Sequence, residues 1–308
     1  ATYVGTPAKM IRRKATKLTK KKLNNFMIFI STGGFNKKKG TDSYKYLKSK
    51  GFKNIEFSGG KFIKNFNKKI KFYKDNTQIH NYFPPPKKPF VLNLSSKNKT
   101  ISSRSIKFVK KNIINSKKIG SKFYSFHAGF RIDPNFKDLG KQINRGMLIT
   151  KKEALNIFYK RVIELSKFAK KYGIKLFIEN NVISKKNLKK FKTNPFLLTT
   201  PNEIISFFNK LSKKSNNIGL LLDVAHLKVS SKTLKFDLQK AHSSLKKYIN
   251  AYHLSDNNGI TDSNKKFSKN AWFWKHFKKK TDFITIEVYN VSGKEYADLL
   301  EIVKKKAL

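Results

Sequence analysis

From Met27 to the C-terminus the chain alternates short apolar runs with amphipathic, lysine-rich stretches. The runs are MIFIST (27–32), KNIEFS (53–58), NTQIH (76–80), KFYSFH (122–127), IKLFIE (174–179), IGLLLD (218–223), INAYHL (249–254) and DFITIEV (282–288). Between them lie helical patterns, clearest over 151–173, where Leu155, Phe158, Val162, Leu165 and Phe168 recur at three- and four-residue spacing and Gly173 supplies a stop. Strands alternating with helices imply a parallel sheet, and eight such units imply closure. The expected architecture is therefore α/β: a single (β/α)8 barrel over 27–308. An open doubly wound sheet is the alternative. Against it, STGGF after the first run has a glycine pair but lacks the GxGxxG spacing that cradles phosphate in such sheets.

Composition changes this picture little. With 308 residues, 39% of them hydrophobic, the chain can bury a full core. It has no cysteine, so any metal must be held by nitrogen and oxygen, and a cytoplasmic home is natural. No apolar run reaches the roughly 18 residues of a membrane span, and no cleavable signal segment is visible, so a soluble protein without membrane attachment is expected. The formal charge of +51 invites a nucleic-acid partner. Nearly all of it is lysine, however, with arginine only at 12, 13, 104, 131, 145 and 161, and it is spread evenly among abundant Asn, Ile and Phe. Base-reading proteins lean on arginine. An AT-rich codon bias accounts for the lysine better than a nucleic-acid function does. Residues 1–26 form a basic tail without an apolar face, set outside the barrel.

Candidate chemistry sits where the apolar runs end. Glu179 follows KLFI, Asp223 follows GLLL with His226 three residues on, His253 follows INAY, Glu287 follows FITI, His80 closes TQIH and His127 closes FYSFH. In a parallel barrel the C-terminal strand ends converge on one mouth. The third to eighth strands would bring these groups together there, although they are far apart in sequence. Buried carboxylates without compensation cost several kcal/mol each, and a divalent cation removes that cost. Glu179, Asp223, His253 and Glu287 are the expected ligands; three carboxylates and one imidazole suit Mn or Zn. A hydrogen-bonded, solvated rim is the alternative.

These residues carry a family resemblance. FIEN at Glu179, LLLDVAH at Asp223 and His226, YHLSDNNG at His253 and ITIEV at Glu287 resemble the motifs of the xylose-isomerase-like TIM barrels, a superfamily of sugar isomerases, ketose 3-epimerases and endonuclease IV-type apurinic endonucleases. IHNYFPPPKKPFVLNLSS and FYSFHAGF resemble its sugar phosphate isomerase/epimerase subgroup. The resemblance implies a metal-dependent isomerase or epimerase acting on a sugar or sugar phosphate, with Glu179 and Glu287 as an acid/base pair on opposite sides of the substrate and His226 on a substrate oxygen or orienting Asp223. It leaves oligomeric state open, a homo-oligomer included.

The alternative within the superfamily is a phosphodiesterase acting on abasic DNA. In that branch two histidines at the positions of His80 and His127 help build a multinuclear zinc centre; here they bind either a second metal or substrate. The same branch has Asp-x-His after the seventh strand, and this chain has Asp262-Ser263-Asn264, with a poor zinc ligand in place of histidine. Weaker substrate candidates are Arg131, a phosphate or carboxylate clamp or else a plain surface arginine, Asp262, and Trp272, which with Trp274 forms an aromatic lid or, as the default, packs in the core. Glu56 closes the second strand and could reach the mouth, though a structural hydrogen bond is the preferred reading, and His242 and His276 are read as ordinary helix or surface residues. In the tail, VGTPAKMIR resembles the C-terminal segment of hexapeptide-repeat acyltransferases.

Overall fold

The computed structural model describes residues 27–307 except 36–38, 75, 139–140 and 145. The basic tail and its acyltransferase-like string lie outside the described residues. Strands β1 (Met27–Ser31), β2 (Ile55–Phe57), β3 (Thr77–His80), β4 (Phe123–His127), β5 (Lys175–Glu179), β6 (Ile218–Asp223), β7 (Ile249–Leu254) and β8 (Phe283–Ile286) form a closed parallel barrel in sequence order. Each expected run contributes its strand. Closure comes from β1 pairing with β8, Met27 opposite Phe283 through Ile30 opposite Ile286. The shortest strand, β2, stops early because Ser58 N–H leaves the ladder for Thr32 Oγ1 at 2.8 Å.

Helices α1 (Gly40–Ser49), α2 (Phe66–Lys69), α3 (Lys99–Lys118), α4 (Lys151–Lys171), α5 (Lys185–Phe191), α6 (Pro201–Ser212), α7 (Val224–Leu234), α8 (Leu238–Leu245) and α9 (Gly293–Ala307) lie between and after the strands. Side-chain caps set their starts: Thr150 Oγ1 accepts from Glu153 N–H before α4, and Thr200 Oγ1 from Glu203 N–H before α6, which has Pro201 at its first turn. α4 ends just short of Gly173, whose φ of 67° lets the chain turn back into β5.

Strand alternation separates two cores. Outward residues such as Ile55, Phe57, Tyr124, Leu176, Ile178, Leu220, Tyr252 and Ile284 pack with the helices in one large apolar cluster. Inside the barrel a second cluster, Phe29, Phe123, Phe177, Leu221, Ala251 and Phe283, plugs the N-terminal end. Rings of Phe123, Phe177 and Phe283 meet at centroid distances of 4.9–5.4 Å. Two residues farther along the same inward faces come Ser31, Ser125, Glu179, Asp223, His253 and Thr285, all buried. The plug thus closes the barrel from below, and the buried polar layer lies on its mouth side.

His242 is on α8 as expected of a helix residue, but fully buried, with Nε2 3.2 Å from the Tyr252 hydroxyl. Burial, helped by His276 and Lys246, pushes its pKa down to about 4. It stays neutral in the fold while the unfolded chain takes up a proton near its ordinary value, so this contribution is complete above about pH 6.5 and lost as pH falls toward 4. The stability gap between wild type and His242→Gln, from urea unfolding, should therefore shift by about 3 kcal/mol in favour of the variant between pH 7.5 and pH 4. A gap independent of pH would show that the imidazole protonates without cost in the fold.

Candidate metal centre

β5 delivers Glu179 to the centre of the mouth. The residue is fully buried, and its carboxylate is ringed by imidazoles: Oε2 is 3.2 Å from His80 Nε2 and 3.6 Å from His127 Nδ1, and Oε1 is 3.4 Å from His253 Nδ1 and 3.6 Å from His226 Nδ1. Among the described residues neither oxygen has a hydrogen-bond partner. Asp223 Oδ2 and His253 Nδ1 are likewise buried without a hydrogen-bond partner among the described residues, although Glu287 Oε2 lies 2.9 Å from that nitrogen. Ligand atoms of Glu179, Asp223, His253 and Glu287 all fall within 4.8 Å of one another. Buried polar atoms are normally satisfied. Four unsatisfied ones converging from β5, β6 and β7 fit a divalent cation held by oxygen and imidazole nitrogen, with Glu287 beyond β8 as the fourth residue.

Local structure holds these groups in place. Asp223 is the last residue of β6 and also the N-cap of α7, where Oδ1 accepts from His226 N–H at 2.8 Å, so Oδ2 alone is left for the centre. Asn180 braces it, accepting from Asp223 N–H at 2.8 Å and donating to Asp223 O at 3.2 Å. Gly33 makes room for Glu287: a Cβ there would lie 2.9 Å from Oε1. Tyr289, on the segment after β8, donates its hydroxyl to the same Oε1 at 3.5 Å.

Charge follows from this packing. Burial raises the Glu179 pKa, but His127, His253 and His80 outweigh it and hold it well below the usual range. Asp223 is pushed up to about 7, by burial first and then by Glu179 and Asp262, against the pull of His226 and His253. Burial opposes protonation of His253 and His226, yet both are raised well above the ordinary value, His253 by Glu56, Glu179 and Glu287, and His226 by Asp223, Asp262 and Glu179. Burial dominates at His80, lowered to about 3, and lowers His127 as well.

The remaining candidates divide. His80 is fixed between Ser125 Oγ at 2.9 Å and Glu179, while His127 keeps 29% of its side chain exposed at the mouth. His80, His127 and Glu179 also offer ligand atoms within 4.8 Å of one another. His226 Nδ1–H donates to Asn180 O at 2.8 Å, which turns Nε2 toward Asp262 Oδ2 at 3.1 Å, so Asp262 does reach the site. Asn264 is buried nearby in a left-handed conformation with φ of 43°.

Arg131 does not join the cluster. Its Nε donates to Ile149 O and its Nη1 to Asn194 O and Thr193 Oγ1, tying the loop after β4 to the one after β5. Trp272 and Trp274 form no lid and take the packing role that is their default. Both sit in the 3-10 turn Trp272–His276, Trp272 edge-on to His242 at 5.5 Å and Trp274 packed against Phe267 and Phe277, because that turn is pressed onto α8 in the outer layer. Among the residues that escaped the sequence reading are Gln78, Thr285 and Tyr289. The first two lie two positions before His80 and Glu287 on the same inward faces, and that spacing is the signal that could have found them.

A family model described as xylose isomerase-like TIM barrel matches residues 45–292. No curated protein matches the chain. Among solved structures, a D-tagatose 3-epimerase-like protein superposes with a TM-score of 0.64 at 20% identity, covering 92% of this chain and all of that one. The 3-keto-D-glucoside 4-epimerase YcjR from E. coli gives 0.60 at 12% identity over 91% of this chain and 99% of its own. The IOLI protein with a bound zinc atom gives 0.60 at 13% identity over 91% and 96%. At these identities the likeness is one of fold.

Ligation requires Asp223 without its proton and His253 with a free Nδ1, so protons compete with the cation. Mn2+ affinity measured by titration calorimetry should rise as pH is raised from 5.5 to 8. Excess Mn2+ should raise the melting temperature of the wild type and not that of Glu179→Ala, while Arg131→Ala should keep the metal-induced rise. An affinity flat across that pH range would remove Asp223 and His253 from the ligand set.

Proposed function

The chain belongs to the xylose isomerase-like TIM barrel family, and from that premise we propose that it is a metal-dependent isomerase or epimerase of a sugar or sugar phosphate. The observation that carries the reading is the convergence of buried, unsatisfied Glu179, Asp223 and His253 atoms with Glu287 at the barrel mouth. Glu179, Asp223, His253 and Glu287 would hold one divalent cation, Mn or Zn. Bound there, a divalent cation would supply Lewis-acid polarisation of a ketose carbonyl, which would acidify the C–H on the adjacent hydroxyl-bearing carbon.

The protein groups divide the proton work. Glu179, kept ionised by the imidazoles around it, removes the proton as general base. Glu287 approaches from β8 and returns a proton to the opposite face, with the Tyr289 hydroxyl holding its Oε1. His226 presents Nε2–H toward the substrate side, steadied through Nδ1–H on Asn180 O, and stabilises the developing oxyanion when it turns from Asp262. His127, the more exposed of the two mouth histidines, binds a substrate hydroxyl; His80 orients Glu179.

A second reading, a phosphodiesterase acting on abasic DNA, rests on the His80, His127 and Glu179 group, which is close enough for a second ion. It requires at least two metals per chain. The engagement of Asp262 with His226, and Asn264 at the place of a histidine, count against a third. Metal analysis giving one ion per chain, with no nicking of an abasic duplex at moderate salt, would end it.

The first reading predicts exchange of substrate C–H with solvent deuterium for a member of a panel including D-fructose, D-tagatose and ketose phosphates. Glu179→Gln should lower that exchange by roughly 10²- to 10⁴-fold while circular dichroism is unchanged. Exchange retained in the variant would exclude Glu179 as the base. In Tyr289→Phe the melting temperature should hold and turnover should fall by a smaller factor.

A further inference from the structure

Below the proposed ligands lies a further buried carboxylate that the mechanism does not use. Glu56, on β2, is fully buried. Its Oε1 is 3.2 Å and its Oε2 3.4 Å from His253 Nε2. Oε2 also accepts from Gln78 Nε2 at 2.6 Å and from Thr285 Oγ1 at 3.0 Å. Those donors come from the strand paired with β2 and from β8, so the carboxylate is held from both sides. The opposite ring nitrogen of His253, Nδ1, is the one that faces Glu179 and Glu287.

We propose that Glu56 is the positioning residue that decides which nitrogen of His253 meets the cation. The inference rests on the metal-centre reading above. A neutral imidazole carries one proton, and the nitrogen without it is the ligand. By accepting from Nε2–H, Glu56 places the proton below and turns the Nδ1 lone pair up into the mouth; a carboxylate behind a ligating histidine also makes it a stronger donor. Glu56, His80 and His253 offer ligand atoms within 4.8 Å of one another, which would also suit a second ion. The donors already on Glu56 Oε2, and a Ser125 hydroxyl 2.9 Å from His80 Nδ1, favour a hydrogen-bonded support instead.

The local geometry makes Glu56→Gln a sharp test. Gln78 and Thr285 would select the amide oxygen for the place of Oε2. The amide NH2 would then stand where Oε1 stood and donate to His253 Nε2, driving the imidazole proton onto Nδ1, toward the cation. Zn2+ is the probe, with the full chain 15N-labelled at histidine. In Zn2+-loaded wild type, His253, assigned by the loss of its signals in His253→Gln, should carry its proton on Nε2. In Glu56→Gln, with unchanged far-UV circular dichroism, Zn2+ affinity should fall roughly 10- to 100-fold.

Equal affinity in the folded variant would overturn this inference alone. So would two Zn2+ per wild-type chain against one in the variant, which would make Glu56 a ligand. Should the variant fail to fold, the wild-type spectrum still decides: a proton on Nδ1 of His253, or ligation through Nε2, defeats the proposal. A wild type that takes up no Zn2+ would bring down the metal-centre reading and this inference together.

Discussion

A separation of two residues along each inward strand face governs this structure. Phe177 precedes Glu179, Leu221 precedes Asp223, Ala251 precedes His253, and Phe123 and Phe283 precede Ser125 and Thr285 by the same step. The earlier members pack into the apolar plug, and the later ones, lifted by one side-chain repeat, form the polar layers above it. Desolvating a carboxylate costs several kcal/mol unless it is paired. Because the plug shuts out water from below, Glu179 must find compensation within the mouth, and the imidazoles of His80, His127, His226 and His253 crowd around it for that reason. The barrel interior thus converts an ordinary strand periodicity into a concentrated, strongly coupled set of charges.

The backbone takes part as much as the side chains do. Asp223 ends a strand, caps a helix through Oδ1 and leaves only Oδ2 to the centre, so where α7 begins and where the ligand atom points are one event. Asn180, directly after Glu179, braces Asp223 through both its backbone groups and holds His226 through its own carbonyl. These bonds lock side chains on neighbouring strand ends relative to one another. That is the preorganisation a metal or a developing negative charge needs.

The charge of the chain and the charge of its site run in opposite directions. The formal net charge is +51, yet the inward end of the barrel gathers Glu56, Glu179, Asp223 and Glu287. Many lysines are explained locally: Lys117 and Lys118 close α3, Lys170 and Lys171 close α4, and Lys304, Lys305 and Lys306 close α9, where helix C-termini favour cations. Lys228 is tied to Asp256 at 2.6 Å, and Lys175 to Asp282 at 2.8 Å. Surface charge in this protein says little about what enters the mouth.

The sequence by itself determined the eight strands, their parallel closure and the residues at their ends. Each is a local property: an apolar run short enough for one strand, a helical period after it, and a polar residue where the run stops. It offered Asp262 only as a weaker substrate candidate, and the contact of that residue with His226 Nε2 comes from the fold. It did not determine what each polar group does with its hydrogen bonds. Arg131 could be read as a clamp because nothing nearby in sequence says that Ile149 O and Asn194 O will meet it, and the choice between lid and packing for Trp272 was made by the docking of its turn on a helix some 30 residues earlier. The support beneath His253 was decided only by tertiary structure: Glu56, Gln78 and Thr285 lie on three strands, and Glu56 and Thr285 are 229 positions apart. Closing the barrel brings them within hydrogen-bonding distance. Partner choice among buried polar groups is set by that three-dimensional proximity, which residue spacing along the chain does not encode.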